Sequence, residues 1–357
     1  MTGSTDQAER REPGALAGAR VLLIAPRFFG YDEAIARELA RRGARVDAMP
    51  DRPFSSPWYH AAARFAPGQV RRATERYYRR LLARFAAPRY DHVLVLNGQT
   101  VSPRLIGDLR GAHPGARFTF YLWDSLANRP HALDLAALFD RAFTFEPETA
   151  ARHGLRFRPL FFDDHASTAA ALPLEREIAF VGTAHTDRHR VVERLDAMLA
   201  PDIRRFWFLY LKARWLLAAY RLTNPHFRRA RAEQFAFTPL SRPESQRIFE
   251  TSRAILDIEH ARQSGLTMRT LEVLGAGKKL VTTNPAIRDY AFYDPARIEV
   301  IDRGAPLVPD AFLRSDAPPL DEATRYRYSL AGWIDELLSE EDQSALHLRP
   351  GLWPKPS

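Results

Sequence analysis

Short apolar runs alternate along the chain with longer stretches in which apolar residues recur at helical spacing. The stretch "ARVLLIAPRFFGYDEAIARELARRGARVDAMP" predicts a strand, a helix and a strand in turn, with Ile35 and Leu39 on the buried side of the helix and Gly43 at its end. The elements predicted in the first half are strand 20–25, helix 31–42, strand 44–49, a helical segment at 69–86, strand 91–96, a helix from Pro103, and strands 117–122, 140–147 and 156–162. Such alternation is typical of a parallel sheet with helices on both faces.

The pattern restarts after residues 166–175, a weakly patterned, proline-containing stretch that we interpret as a linker. The elements predicted beyond it are strand 177–182, a helix from about Asp187, a strand within "RAILDIEH" (253–260), a helix over Thr267–Gly275 and a strand within "KKLVTT" (278–283). We therefore expect an α/β fold of two tandem doubly wound, Rossmann-like domains, 19–165 and 176–320, which face each other across a cleft. A helix at 321–340 is expected to pack back toward the first domain, with a disordered tail at 1–18 and a tail at 341–357.

Length and composition narrow the class of protein. At 357 residues the chain exceeds what one ordinary core holds, which supports two domains. Without cysteine it can form no disulfide, no thiolate metal site and no cysteine nucleophile. Residues 1–18 lack the apolar core of a signal peptide, and the longest apolar stretch, 206–222, is interrupted by three cations. We expect a cytoplasmic protein.

The net charge of +9 raises the question of a polyanionic partner. Lysine and arginine are scattered over most of the chain without a nucleic-acid-binding motif, so no nucleic acid is expected as a partner. In segment 204–231, however, cations accumulate among aromatic residues, namely Arg204, Arg205, Lys212, Arg214, Arg221, Arg228, Arg229 and Arg231. This mixture predicts a peripheral position at an anionic membrane surface, on its inner face. Read as one helix, the segment carries cations on opposite sides, and packing against its own domain is the alternative.

Loops at the carboxyl ends of the first-half strands carry candidates for the acceptor side of a substrate site. Gly30 precedes a helix whose early acids, Asp32 and Glu33, suit the helix dipole better than catalysis. Asn97 and Gln99 follow the next strand and are polar groups of the kind that bind sugars, although turns often have this composition.

Asp124 directly follows the apolar strand 117–122. Partial loss of water at such a position raises the pKa of a carboxyl toward that of a general base. The alternative is that Asp124 caps the helix that follows it. Glu146 and His131 lie on neighbouring loops and are competing candidates for the base.

Two loops of the second half could bind an anionic ligand. In "VGTAHTDRH" (181–189), small residues allow a ligand close to the backbone and basic ones could meet a phosphate; the candidates are Gly182, Thr183, His185 and Arg188. The strand within "RAILDIEH" ends at Glu259, a second candidate, whereas we interpret Asp257 as a structural acid. The motifs GxxxxGK[ST], GxGxxG, HExxH and GxSxG are absent, and no carboxylate pair has metal-holding spacing, so no metal is expected.

The helix in "SGLTMRTLEVLGAGKKLVTTN" (264–284) places Arg269 in its first turn, where the helix dipole makes a cation unfavourable. Glu272 follows on the same face. Either an anion is shared by Arg269 and the free amides of the first turn, or Arg269 and Glu272 form a solvated pair.

The same stretch resembles the carboxyl-terminal motif of CgeB-like, group-1-type glycosyltransferases of the GT-B fold. The matching residues are Arg269, Leu271, Glu272, Gly277, Leu280, Thr282 and Asn284. "IAFVGTAHTDRHRVV" (178–192) looks like the start of the donor domain of these proteins, and "YRYSLAGWIDELL" (326–338) looks like their last helix. "FYLWDSLAN" (120–128) is similar to capsule and lipopolysaccharide-cluster proteins of this type.

The resemblance implies a glycosyltransferase that moves a sugar from a UDP- or GDP-linked donor to a hydroxyl of a surface polysaccharide or lipid-linked glycan. It places the donor ribose on Glu272 and the diphosphate at the helix start with Arg269. The implied donor site also includes His260, Gly265, Leu266 and Thr267. Where related retaining enzymes have a second Glu, this sequence has Ser264, which leaves retention or inversion open. A nucleotide-sugar epimerase of the same fold and a non-catalytic glycan- or nucleic-acid-binding protein are the alternatives.

Overall fold

The computed structural model describes residues 16–52, 67–85, 89–129, 131–163, 172–259 and 264–352. The chain divides into two compact units. The first comprises Met1–Pro159 and Leu330–Ser357, and the second comprises Leu160–Ser329. Residues 1–15 of the N-terminal tail and 166–171 of the interpreted linker lie outside the described residues.

The first unit is built on a six-stranded parallel sheet. Its strands are β1 (Arg20–Ala25), β2 (Arg45–Pro50), β3 (His92–Leu96), β4 (Arg117–Leu122), β5 (Arg141–Thr144) and β6 (Arg156–Phe157). Its helices before the chain leaves the unit are α1 (Tyr31–Arg41), α2 (Pro67–Phe85), α3 (Pro103–Ala112), α4 (Ala132–Ala136) and α5 (Pro147–His153). Strands β1, β3 and β4 bury nearly every residue, as parallel strands covered on both faces do.

The second unit repeats this plan with five parallel strands. They are β7 (Arg176–Thr183), β8 (Arg205–Tyr210), β9 (Ser252–Asp257), β10 (Lys279–Thr282) and β11 (Ile298–Val300). The helices are α6 (Arg188–Met198), α7 (Arg214–Thr223), α8 (Arg242–Glu250), α9 (Met268–Gly275), α10 (Asp310–Arg314) and α11 (Glu322–Tyr328). Helices α6, α7 and α10 and the strands β7 to β10 contribute to one core cluster, which includes Ile178, Leu195, Leu256 and Val281.

Both sheets have the same strand order. The first runs β2-β1-β3-β4-β5-β6 and the second runs β8-β7-β9-β10-β11. The direction of strand addition therefore reverses between β1 and β3 in one sheet and between β7 and β9 in the other. This order is that of doubly wound folds, whose ligands bind outside the carboxyl ends of the strands at the point of reversal. The predicted α/β fold with two doubly wound, Rossmann-like domains is confirmed.

Several elements differ from the prediction; the strand predicted at 140–147 is limited to β5, and strand β11 was not predicted. The strand predicted at 156–162 shortens to β6, because Pro159 has no amide hydrogen to donate to the sheet. The single helix expected at 321–340 is two helices, α11 and α12 (Leu330–Leu338), which extended backbone at Ser329 separates. Segment 204–231 begins as strand β8 rather than as helix, since the aromatic-rich "RFWFLY" favours a sheet.

Helix α12 is packed into the first unit. Trp333, Ile334 and Leu337 are all buried to within 1% of complete burial. The Trp333 ring meets Tyr121 of β4 edge-on, with ring centroids 4.9 Å apart. Arg42, at the carboxyl end of α1, donates a hydrogen bond to the carbonyl of Ala331 in α12 at 2.6 Å.

Glu336 of α12 lies buried between two basic side chains. Its Oε2 is 2.9 Å from Nε of Arg158 and 2.9 Å from Nε2 of His347. Burial alone raises the pKa of a carboxyl, but the charges of Arg158 and His347 outweigh it and hold the pKa of Glu336 below its ordinary value. The carboxyl-terminal segment is therefore joined to the first unit by both apolar and ionic contacts.

We predict that Trp333→Ala lowers the free energy of unfolding by about 3–5 kcal/mol, because it empties a large volume in a closed core. Denaturant unfolding followed by circular dichroism measures this loss. Trp215, which is 69% exposed, provides the matched control: Trp215→Ala should stay within about 0.5 kcal/mol of the wild type. Equal stability of the two variants would contradict the packing of α12.

Candidate functional site

The point of strand reversal in the second sheet brings together the residues predicted to bind an anion. The loop after β7 leads from Gly182 and Thr183 to the start of α6. After β9 the described chain continues to Glu259; it resumes at residue 264, and Thr267 directly precedes α9. Because β7 and β9 are parallel neighbours, both loops leave the same edge of the sheet side by side.

Asp257 fixes the start of helix α9. Its Oδ2 accepts hydrogen bonds from the hydroxyls of Thr267 at 2.6 Å and Thr270 at 2.8 Å. The Thr267 hydroxyl also accepts the Thr270 amide at 3.2 Å, so Thr267 is the N-cap of the helix. This bonding agrees with the interpretation of Asp257 as a structural acid, and it leaves the carboxylate 3% exposed.

Arg303, which follows β11, binds the two acids of the neighbouring loops. It donates two hydrogen bonds to the Asp187 carboxylate, at 2.7 and 3.1 Å, and one to Oε1 of Glu259 at 2.5 Å. The hydroxyl of Thr283 donates to the other Glu259 oxygen at 2.5 Å. Burial raises the pKa of Asp187, but the hydrogen bonds and charge of Arg303 outweigh burial and hold it below its ordinary value. The carboxylates nearest the two loops are thus already engaged.

Arg188, the first residue of α6, is bound through carbonyl groups rather than carboxylates. Its Nε donates to the Ile258 carbonyl at 2.7 Å, and Nη1 lies 3.4 Å from the Thr183 carbonyl. Burial lowers the pKa of this guanidinium to about 10; Asp257 opposes the shift, and the positive charges of Arg269 and Arg303 add to it. Arg188 therefore remains charged at neutral pH in surroundings that favour an added anion.

Arg269 forms no hydrogen bond or ion pair with any residue that the structure describes. Its guanidinium lies 5.6 Å from the centroid of the Phe249 ring. Gly182 leaves room for it, since a Cβ there would lie 3.4 Å from Nη1 of Arg269 and 2.8 Å from the Phe180 ring. The solvated pair with Glu272 that the sequence left open is not formed within this part of the chain.

Two cations without a carboxylate contact thus meet the beginning of a helix. The first amides of α9 have no partner inside the helix, and Thr267 satisfies only that of Thr270. An anion bound here would meet amide donors, a favourable helix dipole and the charges of Arg188 and Arg269. The arrangement is chemically suited to a phosphate or diphosphate.

The remaining predicted donor residues lie in or beside these loops. His185 is half-buried, and its neighbour Thr186 has a φ of 57°, a left-handed conformation that is rare for a β-branched residue. Gly265 and Leu266 are buried just before α9, and Glu272 is half-buried one turn after Arg269. His260 lies outside the described residues.

In the first unit, Arg129 joins two of the predicted residues. Its Nη2 donates to Oε1 of Gln99 at 2.9 Å and its Nε to Oδ2 of Asp124 at 3.2 Å. The second oxygen of Asp124 accepts from the Ser125 amide at 3.0 Å and from the Asn128 side chain at 3.2 Å. The Asp124 carboxylate is therefore held in a fixed orientation while 35% of its side chain stays exposed.

The competing roles of these acids can be compared directly. The turn after Asp124 is a short 3₁₀ turn, Leu126–Asn128, and Ser125 rather than Asp124 stands at its N-cap. Glu146 is buried and accepts from the hydroxyls of Ser125 at 3.3 Å and Thr149 at 3.1 Å. His131 is 95% exposed. Assignment of the base to Asp124 stays a prediction, and helix capping does not account for its position.

Exposed aromatic rings lie beside this group. Phe28 and Phe29 are 49% and 74% exposed, and the Phe28 ring is 6.4 Å from that of Trp123, the residue before Asp124. Phe29 has a φ of 49° and Gly30 a φ of 77°. In the neighbouring loop Asn97 has a φ of 61° and is buried. Left-handed backbone thus accompanies both loops at the point of reversal between β1 and β3, as it often does near functional sites.

Sequence analysis missed Arg303, Arg129 and Asp51. Asp51 is completely buried directly after β2; its Oδ2 accepts the Gln99 amide at 3.2 Å, and burial raises its pKa. An acid at the carboxyl end of a predicted strand was a usable signal for Asp51. Arg303 and Arg129 act through partners that only the folded chain brings near, and no local pattern marks them.

Within the described ranges, no group of three or more His, Asp or Glu side chains is arranged to hold a metal ion. The expectation that no metal is needed stays a prediction.

No protein-family model and no curated protein matches this sequence. Among solved structures, the chain is similar to a glycosyltransferase from Rickettsia africae ESF-5, with 10% identity, 90% of this chain and 99% of that one covered, and a TM-score of 0.47. It is similar to the catalytic domain of starch synthase IV from Arabidopsis thaliana bound to ADP and acarbose, with 10% identity, 92% and 97% covered, and a TM-score of 0.49. Similarities this distant transfer neither a residue role nor a substrate to this chain.

Proposed function

We propose that the protein is a glycosyltransferase that moves a sugar from a nucleoside-diphosphate donor to a hydroxyl of a glycan. The observation that carries the proposal is Arg269: a first-turn arginine without hydrogen-bonding or ionic partners among the described residues, at the strand reversal of a doubly wound sheet. The resemblance of residues 264–284 to a donor-binding motif of glycosyltransferases supports the same assignment.

The donor diphosphate would bind to the amides at the start of α9 and to Arg269, with Arg188 as the second cation. Glu272, one turn further along the helix, would accept hydrogen bonds from the ribose hydroxyls. In transfer, the bond between the sugar's anomeric carbon and the diphosphate breaks, and negative charge develops on the departing phosphate oxygen. Two guanidinium groups that already lack anionic contacts would stabilise this charge without reorganising.

The acceptor hydroxyl must lose a proton when it attacks the anomeric carbon. If the reaction inverts configuration, Asp124 would accept this proton, with Arg129 and Asn128 holding the carboxylate in place. This role depends on the sequence-based prediction that the two domains face one cleft. Gln99 and the loop containing Gly30 and Asn97 would then contact the acceptor, which we propose to be a surface polysaccharide or a lipid-linked glycan in the cytoplasm.

We predict that Arg269→Ala weakens binding of UDP or GDP by about 1.5–3 kcal/mol, the range for hydrogen bonds that involve charged groups. Isothermal titration calorimetry gives the affinity. The control is Arg204→Ala, which removes an equal charge from an arginine already paired with Glu177 at the opposite end of the sheet. Unchanged nucleotide affinity in Arg269→Ala would refute the placement of the diphosphate.

Turnover should continue in EDTA, because Arg269, Arg188 and the amides of α9 together can balance the phosphate charge. The assay measures release of nucleoside diphosphate with donor and acceptor present, before and after chelation. Activity that disappears in EDTA and returns with manganese would show that a metal site exists.

Replacing Asp124 with Asn should lower kcat by about 10²–10⁴, because the variant keeps the shape of the side chain but cannot take a proton. Asp134→Asn, at a side chain that is 81% exposed, is the matched control and should leave kcat unchanged. If Asp124→Asn kept a near-normal kcat with both substrates saturating, Asp124 would not be the general base and another residue would have to take that role. Turnover of the donor without any acceptor would instead indicate an epimerase.

A further inference from the structure

Helix α7 presents apolar side chains outward. Trp215 and Leu222 are 69% and 87% exposed, and Ala218 between them is exposed as well. Their spacing of three and four residues places them along one side of the helix, within about 60° of one another at about 100° per residue. The opposite side holds Leu217, which is buried in the core of the second unit. The helix is therefore anchored by one face while a second apolar face is exposed.

The segment that carries this exposed face is basic and contains no acidic residue. Residues 212–231 contain six cations and neither Asp nor Glu. The six are Lys212, Arg214, Arg221, Arg228, Arg229 and Arg231, and all of them are exposed. None forms an ion pair with any side chain in the described part of the molecule.

The chain holds some of these cations in position. Arg221 donates from Nε and Nη2 to the Ala230 carbonyl, at 3.0 and 2.6 Å, and Arg214 lies 4.6 Å from the centroid of the Phe237 ring. Phe227, which is completely buried, anchors the turn that carries Arg228 and Arg229. These arginines are therefore held in place by contacts that do not neutralise their charge.

The fold also removes the objection that the sequence raised against this segment. Read as one helix, 204–231 carries cations on opposite sides. In the structure, however, Arg205 is the first residue of strand β8 and Arg204 directly precedes it; Arg204 binds Glu177 and Arg205 binds Asp196. The helix proper begins only at Arg214. Its exposed face is apolar, and the two arginines of the helix, Arg214 and Arg221, lie along one margin of that face, within about 20° of each other. Apolar and basic side chains combined in this way are typical of a helix that lies in a membrane interface.

We propose that residues 212–231 dock the protein onto an anionic phospholipid surface, with Trp215 and Leu222 entering the headgroup region and the six cations contacting lipid phosphates. Tryptophan is favoured at this depth, since its ring is apolar and its N–H can meet water. Leu222 favours a lipid surface over a nucleic acid as the partner. An aliphatic side chain is stabilised when it is buried beside the acyl chains, but it offers no aromatic ring on which a base could stack. Among the described residues, no helix is long and apolar enough to cross a membrane.

The test is co-sedimentation of the full chain with vesicles of phosphatidylcholine alone or with about 30% phosphatidylserine, at low and at physiological salt. We expect binding to the anionic vesicles only, weakening with salt because surface charges are screened. Arg228→Gln with Arg229→Gln should lower vesicle affinity about fivefold for each arginine removed. Trp215→Ala with Leu222→Ser should lower it at least tenfold without changing its dependence on salt.

Matched controls use the same chemistry at other positions of the second unit. Arg204→Gln removes a paired arginine, and Leu307→Ser removes a leucine that is 58% exposed; both should bind vesicles like the wild type. Equal recovery with neutral and anionic vesicles, or full binding by the Trp215→Ala, Leu222→Ser variant, would overturn the proposal. The proposal would also be overturned if duplex DNA displaced the protein from the vesicles and bound it as tightly as they do. UDP or GDP affinity should be unchanged in all these variants, which separates this inference from the donor-site proposal.

Discussion

Arg303 connects the loops after three strands of the second sheet, and the candidate donor site depends on this connection. From its position after β11 it binds Asp187 in the loop after β7 and both the side chain and the backbone carbonyl of Glu259 after β9. The Asp187 and Glu259 carboxylates are thus held by Arg303, and neither forms an ion pair with Arg188 or Arg269 in the described part of the chain. The electrostatic character of the site therefore follows from which of three neighbouring arginines receives the acids.

A second constraint is the strand order that both units share. Because the order reverses once in each sheet, each unit has one place where two adjacent loops separate and admit a ligand. In the second unit this place holds cations and a helix start, which suits phosphate. In the first unit this place contains a carboxylate that an arginine binds, together with a glutamine and exposed aromatic rings. These groups suit a neutral polar ligand such as a sugar. The two units thus have the same architecture and complementary chemistry.

Much of the fold could be predicted from sequence, because strands and helices leave local patterns. Alternation of apolar runs with helical spacing identified every strand of the first sheet, and Thr267 and Arg269 could be assigned to a helix start from neighbouring residues alone. Strand β8 could not be separated from the helix that follows it, since its aromatic and basic residues fit either period. The function of Arg269 could be proposed locally, but that Asp187 and Glu259 are held by Arg303 could not, because Arg303 is distant from both in sequence. Asp124 was placed at the correct strand end, whereas its contact with Arg129 required the folded loop.

The central claim is that a nucleoside diphosphate binds where β7 and β9 separate. Hydrogen–deuterium exchange of the full chain with and without saturating UDP, GDP or ADP tests this claim most directly, because it reports on backbone amides in every loop at once. The account predicts slower exchange for the amides of Gly182–Arg188 and of Thr267–Thr270 with at least one of the three nucleotides, and no change in residues 97–100. Protection confined to the loops of the first unit, or no protection with any of the nucleotides, would contradict it.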